Sequence, residues 1–248
     1  CNGRFPTLLA LLSMFFVGQT AGAGGLLLST LLLTGVVLLG VLSTFAVSRL
    51  LSATLLRGIP SSFTLELPPY RRPQIGRVIV RSLLDRTLFV LGRAMAVAAP
   101  AGAIIWVLAN VTQGGVSLLA RCSGALDPFA RLLGLDGVIL LAFILGFPAN
   151  EIVLPIVMMS YLSAGQMIEP ESIGALRALL IANGWTPLTA VCTMLFSLMH
   201  WPCSTTCLTI RKETQSAKWT AVSVLVPTLL GMIACGVVAG AARLTGLA

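Results

Sequence analysis

Gly146-Phe-Pro-Ala-Asn-Glu-Ile152 interrupts a run, residues 137–168, that is otherwise almost wholly apolar and carries one carboxylate, Glu151. An ionised carboxylate in hydrocarbon costs about 2.5 kcal/mol even on the mildest scale, so such a residue faces a cavity, an ion path or a cation on a neighbouring helix. Pro155 has no N–H for the carbonyl of Glu151, and Pro148 has none for that of Ile144, so the helix is predicted to break here and to free backbone oxygens. The two halves, residues 138–147 and 152–162, are each too short to cross about 30 Å of hydrocarbon. They form one broken span or a re-entrant hairpin. A buried acid at a helix break is the pattern of a transport site; a Pro-kinked span whose Glu pairs with an arginine is the structural alternative.

Composition places the whole chain in the membrane. Hydrophobic residues make up 57% and charged residues 10% of the 248, and the mean hydropathy is +0.98, against about 25% charged residues in soluble proteins. The fold class is therefore all-α, a polytopic transmembrane helical protein with gate-type broken or re-entrant helices. The net charge of +8 implies no nucleic-acid partner, because the basic residues cluster where cytoplasmic loops are predicted. Four of the six cysteines, Cys192, Cys203, Cys207 and Cys235, lie in or beside apolar segments, which favours reduced thiols over a disulfide framework. The sequence begins at Cys1 without a methionine or a signal-peptide pattern, and is expected to be the later part of a longer protein.

Arg4 and Arg49 enclose 44 uncharged residues, enough for two spans with a turn at Gly18-Gln-Thr-Ala-Gly22. Residues 49–93 hold eight of the sixteen basic residues and are expected to be cytoplasmic. Within them, Glu66-Leu-Pro-Pro-Tyr-Arg-Arg-Pro73 reads as a stiff clamp, and residues 74–93 as a basic amphipathic helix at the lipid surface. A span is expected to end near Asn110, followed by a neutral external loop holding Arg121, Asp127, Arg131 and Asp136. Residues 178–210 are again uncharged and interrupted at Gly184, Pro187 and Pro202, and residues 219–242 form a final span. A pair of Gly/Pro-interrupted segments points to a transporter's binding site. The expected domains are 1–48, membrane helices closing a first gate; 49–93, the basic linker; and 94–248, a second gate and the last helices.

The second interrupted stretch contains Met199-His-Trp-Pro-Cys-Ser-Thr-Thr-Cys-Leu-Thr209, which gathers the only histidine with Cys203 and Cys207, four residues apart and on one helix face. Thiolate and imidazole suit Fe(II), Zn(II) or Cu(I), whereas Mg(II) and Ca(II) demand oxygen. The alternatives are small apolar cysteines and an interfacial His200. Pro202 and Ser204-Thr-Thr206 read as a helix start, where a cysteine ligates metal more readily. Pro187 frees the carbonyl of Asn183, a further oxygen donor.

The strings Cys1-Asn-Gly-Arg-Phe-Pro6, Glu66-Leu-Pro-Pro-Tyr-Arg71, Gly146-Phe-Pro-Ala-Asn-Glu-Ile152, Asn183-Gly-Trp-Thr-Pro187 and His200-Trp-Pro-Cys-Ser-Thr-Thr206 followed by Arg211-Lys-Glu-Thr214 resemble those of the bacterial ferrous iron transport protein B family. The resemblance covers residues 1–214 and implies uptake of Fe(II) across the cytoplasmic (inner) membrane, with membrane cysteines implicated in iron passage; Cys1 and Cys203 match those motifs. It also implies a GTPase domain in cis or as a separate chain, small cytoplasmic accessory proteins, and a homo-oligomer as a further expectation beside membrane lipid. No Gly-x-x-x-x-Gly-Lys-Ser/Thr string occurs here, so GTP enters only through a domain outside this sequence, and the chain is expected not to be an enzyme. The expected metal ligands are Cys1, Cys203, Asn150 and Glu151, with Cys207, His200 and Asn183 as secondary candidates. The rival readings are a thiol oxidoreductase using Cys203 and Cys207, and a carrier of an organic substrate such as a nucleoside.

Overall fold

The structure is a computed structural model that describes residues 2–17, 23–55, 74–163 and 172–246. Cys1, the turn at 18–22 and the proline-rich clamp at 66–73 lie outside the described residues.

The chain begins with a short 3-10 turn, Asn2–Arg4, and helix α1, Phe5–Leu12, which has Pro6 in its first turn and continues as a π-helical turn, Ser13–Val17. Leu8, Leu11, Leu12 and Met14 of this segment are almost fully buried. The expected first span is thus a short core helix. Its apolar residues are spent on the protein interior, and Phe5–Phe16 is below spanning length. Helix α2, Ala23–Ala53, runs 31 residues, about 46 Å at 1.5 Å per residue. It is apolar on every side, as a membrane span is, and none of its most hydropathic window is buried within this chain.

Helix α3, Ile75–Arg81, passes through a π-helical segment, Ser82–Leu88, into α4, Phe89–Asn110, without a turn between them. The amphipathic stretch is therefore the front of a longer helical run rather than a separate helix, and its Ile75, Val78, Ile79, Leu83 and Leu84 are exposed. A two-residue hairpin joins strands β1, Thr112–Gln113, and β2, Val116–Ser117, in antiparallel register. Gly114 (φ +67°) and Gly115 (φ +79°) supply the left-handed pair that such a turn requires.

The predicted external loop is instead mostly helix α5, Leu118–Leu132. Its charges misled the reading, because they sit on one face: Leu119, Ser123 and Ala130 are buried, whereas Arg131 pairs with Asp127 at 2.6 Å on the outside, one helical turn apart. Ser117 caps α5 by accepting from the N–H of Ala120 at 3.2 Å. Helix α6, Gly137–Leu145, follows at an angle of 109°, capped by Asp136, which accepts from the N–H of Ile139 at 2.6 Å. The α5 and α6 backbones cross so closely that a Cβ on Gly137 would lie 1.9 Å from the carbonyl oxygen of Ser123. Only glycine permits that approach.

Helix α7, Val153–Tyr161, packs back on α6. Pro155 lies in its first turn, where the missing N–H costs nothing, so the break lies upstream, at residues 146–152. Helix α8, Ile173–Ala182, then α9, Pro187–Met199, and α10, Ser204–Thr214, are separated by two breaks, one at Gly184 and Pro187 and one at Pro202. Helix α11, Ala217–Leu244, is long and apolar enough to cross a membrane and packs along α9, where a Cβ on Gly231 would lie 3.4 Å from Met199 and Phe196. Among the described residues, two helices are long and apolar enough to cross a membrane, or four if each bent pair, α5 with α6 and α8 with α9 and α10, is one span.

Candidate metal centre

The two helix breaks meet. At the first, α6 ends at Leu145 with carbonyls that no helical N–H can reach; at the second, α10 starts at Ser204 with N–H groups that no helical carbonyl can reach. The N–H of Ser204 donates to the carbonyl of Phe147 at 2.9 Å, and its hydroxyl donates to the carbonyl of Pro148 at 3.4 Å. Each break satisfies part of the other.

His200 ties them a second time. Its Nδ1 lies 3.0 Å from the carbonyl oxygen of Phe196 and 2.9 Å from that of Ser197, so Nδ1 carries the proton and Nε2 is the acceptor. Nε2 lies 3.2 Å from the side-chain amide of Asn150, at Oδ1. Two acceptors cannot share a hydrogen bond, so in its bonded orientation the amide donates from Nδ2 and turns Oδ1 towards the buried position that lacks a partner. In that orientation Oδ1 takes the place of Nδ2 at the buried position without a partner. The imidazole is 1% exposed, enclosed by Phe143, Phe196 and Trp201 with ring centres 4.9, 5.8 and 5.5 Å away. With both ring nitrogens engaged, His200 is a pin between the breaks and has no lone pair free for a metal.

Cys203 stands at the N-cap of α10 and is buried. Its Sγ lies 3.1 Å from the hydroxyl oxygen of Thr205 and 3.2 Å from that of Thr206, which makes a small cluster of one sulfur and two oxygens at a helix N-terminus. Cys207, one turn on, donates its thiol to the carbonyl of Pro202 at 3.6 Å. The two cysteines are free thiols.

Glu151 differs from the sequence reading. The 3-10 turn Asn150–Ile152 sends successive side chains about 120° apart, so Asn150 goes inward and Glu151 outward, where it is exposed in this chain. Its side chain lies against Gly3: a Cβ there would come within 2.8 Å of Glu151 Cγ and 3.0 Å of Oε1. The carboxylate forms no ion pair among the described residues. Asn183, the C-cap of α8, is exposed and bonds within its own helix, its side-chain amide donating to the carbonyl of Leu179 at 2.9 Å.

The N-terminal string joins the same place through a residue that sequence reasoning treated only as a charge bounding a span. Arg4 Nη1 donates to the carbonyl of Leu198 at 2.7 Å, and Nη2 donates to those of His200 at 3.1 Å and Trp201 at 2.9 Å. Nothing in the string itself signals this, because the carbonyls it meets lie nearly two hundred residues away. Among the described residues no group of three or more His, Cys, Asp or Glu is close enough to hold a metal ion.

Residues 91–217 match a family model described as Gate, nucleoside recognition, and residues 33–85 match one described as ferrous iron transport protein B C terminus. The chain is 28% identical over 243 residues to the Fe(2+) transporter FeoB of Staphylococcus aureus, covering 94% of this chain and 33% of that protein. It is 28% identical over 231 residues to the Fe(2+) transporter FeoB of a Synechocystis species, covering 92% and 35%. It is 24% identical over 279 residues to a Porphyromonas gingivalis Fe(2+) transport protein A/Fe(2+) transporter FeoB fusion protein, covering 94% and 32%. The chain thus spans about a third of the length of the curated relatives it matches. No solved structure matches it.

Proposed function

The chain belongs to the ferrous iron transport protein B family, as the C-terminal membrane part that carries a gate, and on that footing we propose that it conducts Fe(II) through the junction of its two helix breaks, into the cell across the cytoplasmic membrane. One observation carries the reading: two breaks far apart in sequence bond to each other through Ser204, Phe147, His200 and Asn150, and the buried thiol of Cys203 stands at that junction. Cys203 supplies the soft donor that favours Fe(II) over Mg(II). Asn150, turned so that its Nδ2 donates to His200, offers its amide oxygen, and the hydroxyls of Thr205 and Thr206 stand beside the sulfur. Glu151 lies at the outer edge, against the N-terminal string, and offsets cation charge on approach. Cys1 is the second thiol of the proposal, and it adjoins the described string that packs on Glu151. Cys207 and Asn183 are secondary donors.

Fe(II) is cargo, held weakly enough to leave, which suits an open and mixed set of donors better than a closed cage. Movement of the broken helices opens and closes the path, under a GTP-binding domain elsewhere in the longer protein or on a separate chain. The Porphyromonas relative is named as a fusion with transport protein A, which supports a small accessory protein as a partner. Nucleoside recognition, the description attached to the gate model, is the weaker reading, because relatives aligned over most of this chain are named as iron transporters.

The test is Fe(II) uptake by the full-length transporter carrying Cys203→Ser, Asn150→Leu or Glu151→Gln. Each is expected to lower the initial rate at normal abundance. Wild-type rates in all three sink the assignment.

A further inference from the structure

The C-terminal end of α9 is a second place built to hold a cation. The last carbonyls of a helix lack intrahelical partners and carry partial negative charge, and broken-helix transporters bind cations at such ends and at unwound carbonyls. Here that end is filled by the protein itself. The carbonyl of Phe196 accepts from the backbone N–H of His200 at 2.8 Å and from its ring, and that of Ser197 accepts from the ring alone. The carbonyls of Leu198, His200 and Trp201 all converge on the guanidinium of Arg4, at 2.7, 3.1 and 2.9 Å.

Arg4 is unusual in what it does not do. It forms no ion pair with a carboxylate among the described residues, although the neighbouring Gly3 lies against Glu151. Its Nε is buried without a partner. A half-buried guanidinium normally pairs with a carboxylate in a two-pronged fork; this one is surrounded by neutral backbone oxygens, as a bound metal ion is. Two of those oxygens, of His200 and Trp201, belong to the loop that leads from α9 into Cys203, and His200 connects the same loop to Asn150.

We propose that Arg4 is a tethered occupant of an oxygen-only cation site, and that by filling it the residue keeps hard divalent cations away from the break that carries Cys203. Mg(II) and Ca(II) seek carbonyl and carboxylate oxygen, and Fe(II) accepts sulfur. An empty cluster of three carbonyls at the end of α9 would offer the abundant hard ions a foothold next to the path. With Arg4 in place, the donors left to a passing ion include the thiol. Arg4 is thus a specificity-determining residue. The selectivity claim rests on the ferrous iron reading above; the occupancy claim does not.

Two measurements on the full-length protein separate them. The first is binding of radiolabelled Ca(II), without iron, to detergent-solubilised wild type, Arg4→Gln and Arg4→Lys. The second is Fe(II) uptake into proteoliposomes under increasing Ca(II). Arg4→Gln is expected to gain saturable Ca(II) binding absent from wild type, and its uptake to be half-inhibited at about tenfold less Ca(II), the scale of one charge at a helix terminus. Methylguanidinium is expected to reverse both. Arg4→Lys keeps the charge but loses the fork, and is expected to fall between the two. A merely structural staple gives a different result: Arg4→Gln loses uptake while Ca(II) sensitivity and Ca(II) binding stay at wild-type values, which overturns the proposal. If Arg4→Gln does not fold, Arg4→Lys decides, and wild-type sensitivity in it overturns the proposal equally. Absence of iron uptake by the wild type sinks the ferrous reading and leaves the Ca(II) binding result standing on its own.

Discussion

Replacing His200 by leucine separates a structural pin from a metal ligand. The leucine keeps much of the ring's volume between Phe143 and Phe196 but removes both polar nitrogens. Phe196 O keeps the backbone N–H of residue 200, so the losses fall on Ser197 O and on the amide of Asn150, both buried. A buried group left without a partner costs about 1–3 kcal/mol. Hydrogen bonds between membrane helices measure nearer 0.6 kcal/mol, because the freed groups find other partners there. At this junction the neighbouring carbonyls are already taken by Arg4 and Ser204, so the larger scale applies, and His200→Leu is expected to destabilise by about 2 kcal/mol. The assay is thermal unfolding of the full-length protein in detergent with a chelator present, run as a cycle with Asn150→Leu. The coupling between the two positions is expected to be about 1 kcal/mol without any metal. Unchanged stability in chelator, with a loss that appears only when Fe(II) is added, refutes the pin and makes His200 a ligand.

Gly137→Ala places a methyl 1.9 Å from a backbone oxygen of α5, and since backbone cannot turn aside, a cost at or above the usual 1–3 kcal/mol of overpacking is expected in a melting curve. Asp136→Ala removes the cap of α6 and the acceptor of the Tyr161 hydroxyl, which itself accepts from Trp185 Nε1 at 2.7 Å; about 1 kcal/mol for the cap alone is expected, read as a lower melting temperature than in Asp136→Asn. Gly3→Ala meets a side chain, not backbone, so it is expected to leave stability nearly unchanged while displacing Glu151, with Fe(II) uptake falling as in Glu151→Gln.

The helix breaks were readable because proline and glycine act locally: Pro148, Gly184, Pro187 and Pro202 marked where hydrogen-bond ladders stop, and α6, α7, α9 and α10 end or begin beside them. Two kinds of information were not local. The charges of Arg121, Asp127 and Arg131 suggested a loop, although only their distribution around a helix axis shows that α5 buries its other face. The role of Arg4 depended on carbonyls nearly two hundred residues away, and no spacing rule reaches that far. Glu151 falls between these cases. Its place at a break was legible, but which way it turned depended on the handedness of a single 3-10 turn, and that turn put Asn150, not the acid, beside His200.

The claim that a metal ion meets the junction through Cys203 is tested most directly by Co(II), a spectroscopic stand-in for Fe(II), added to the full-length protein. A thiolate ligand gives a near-ultraviolet sulfur-to-cobalt charge-transfer band. That band is expected in the wild type and in Cys207→Ser, and is expected to weaken or vanish in Cys203→Ser. A band that survives unchanged in Cys203→Ser, or that vanishes only in Cys207→Ser, contradicts the claim.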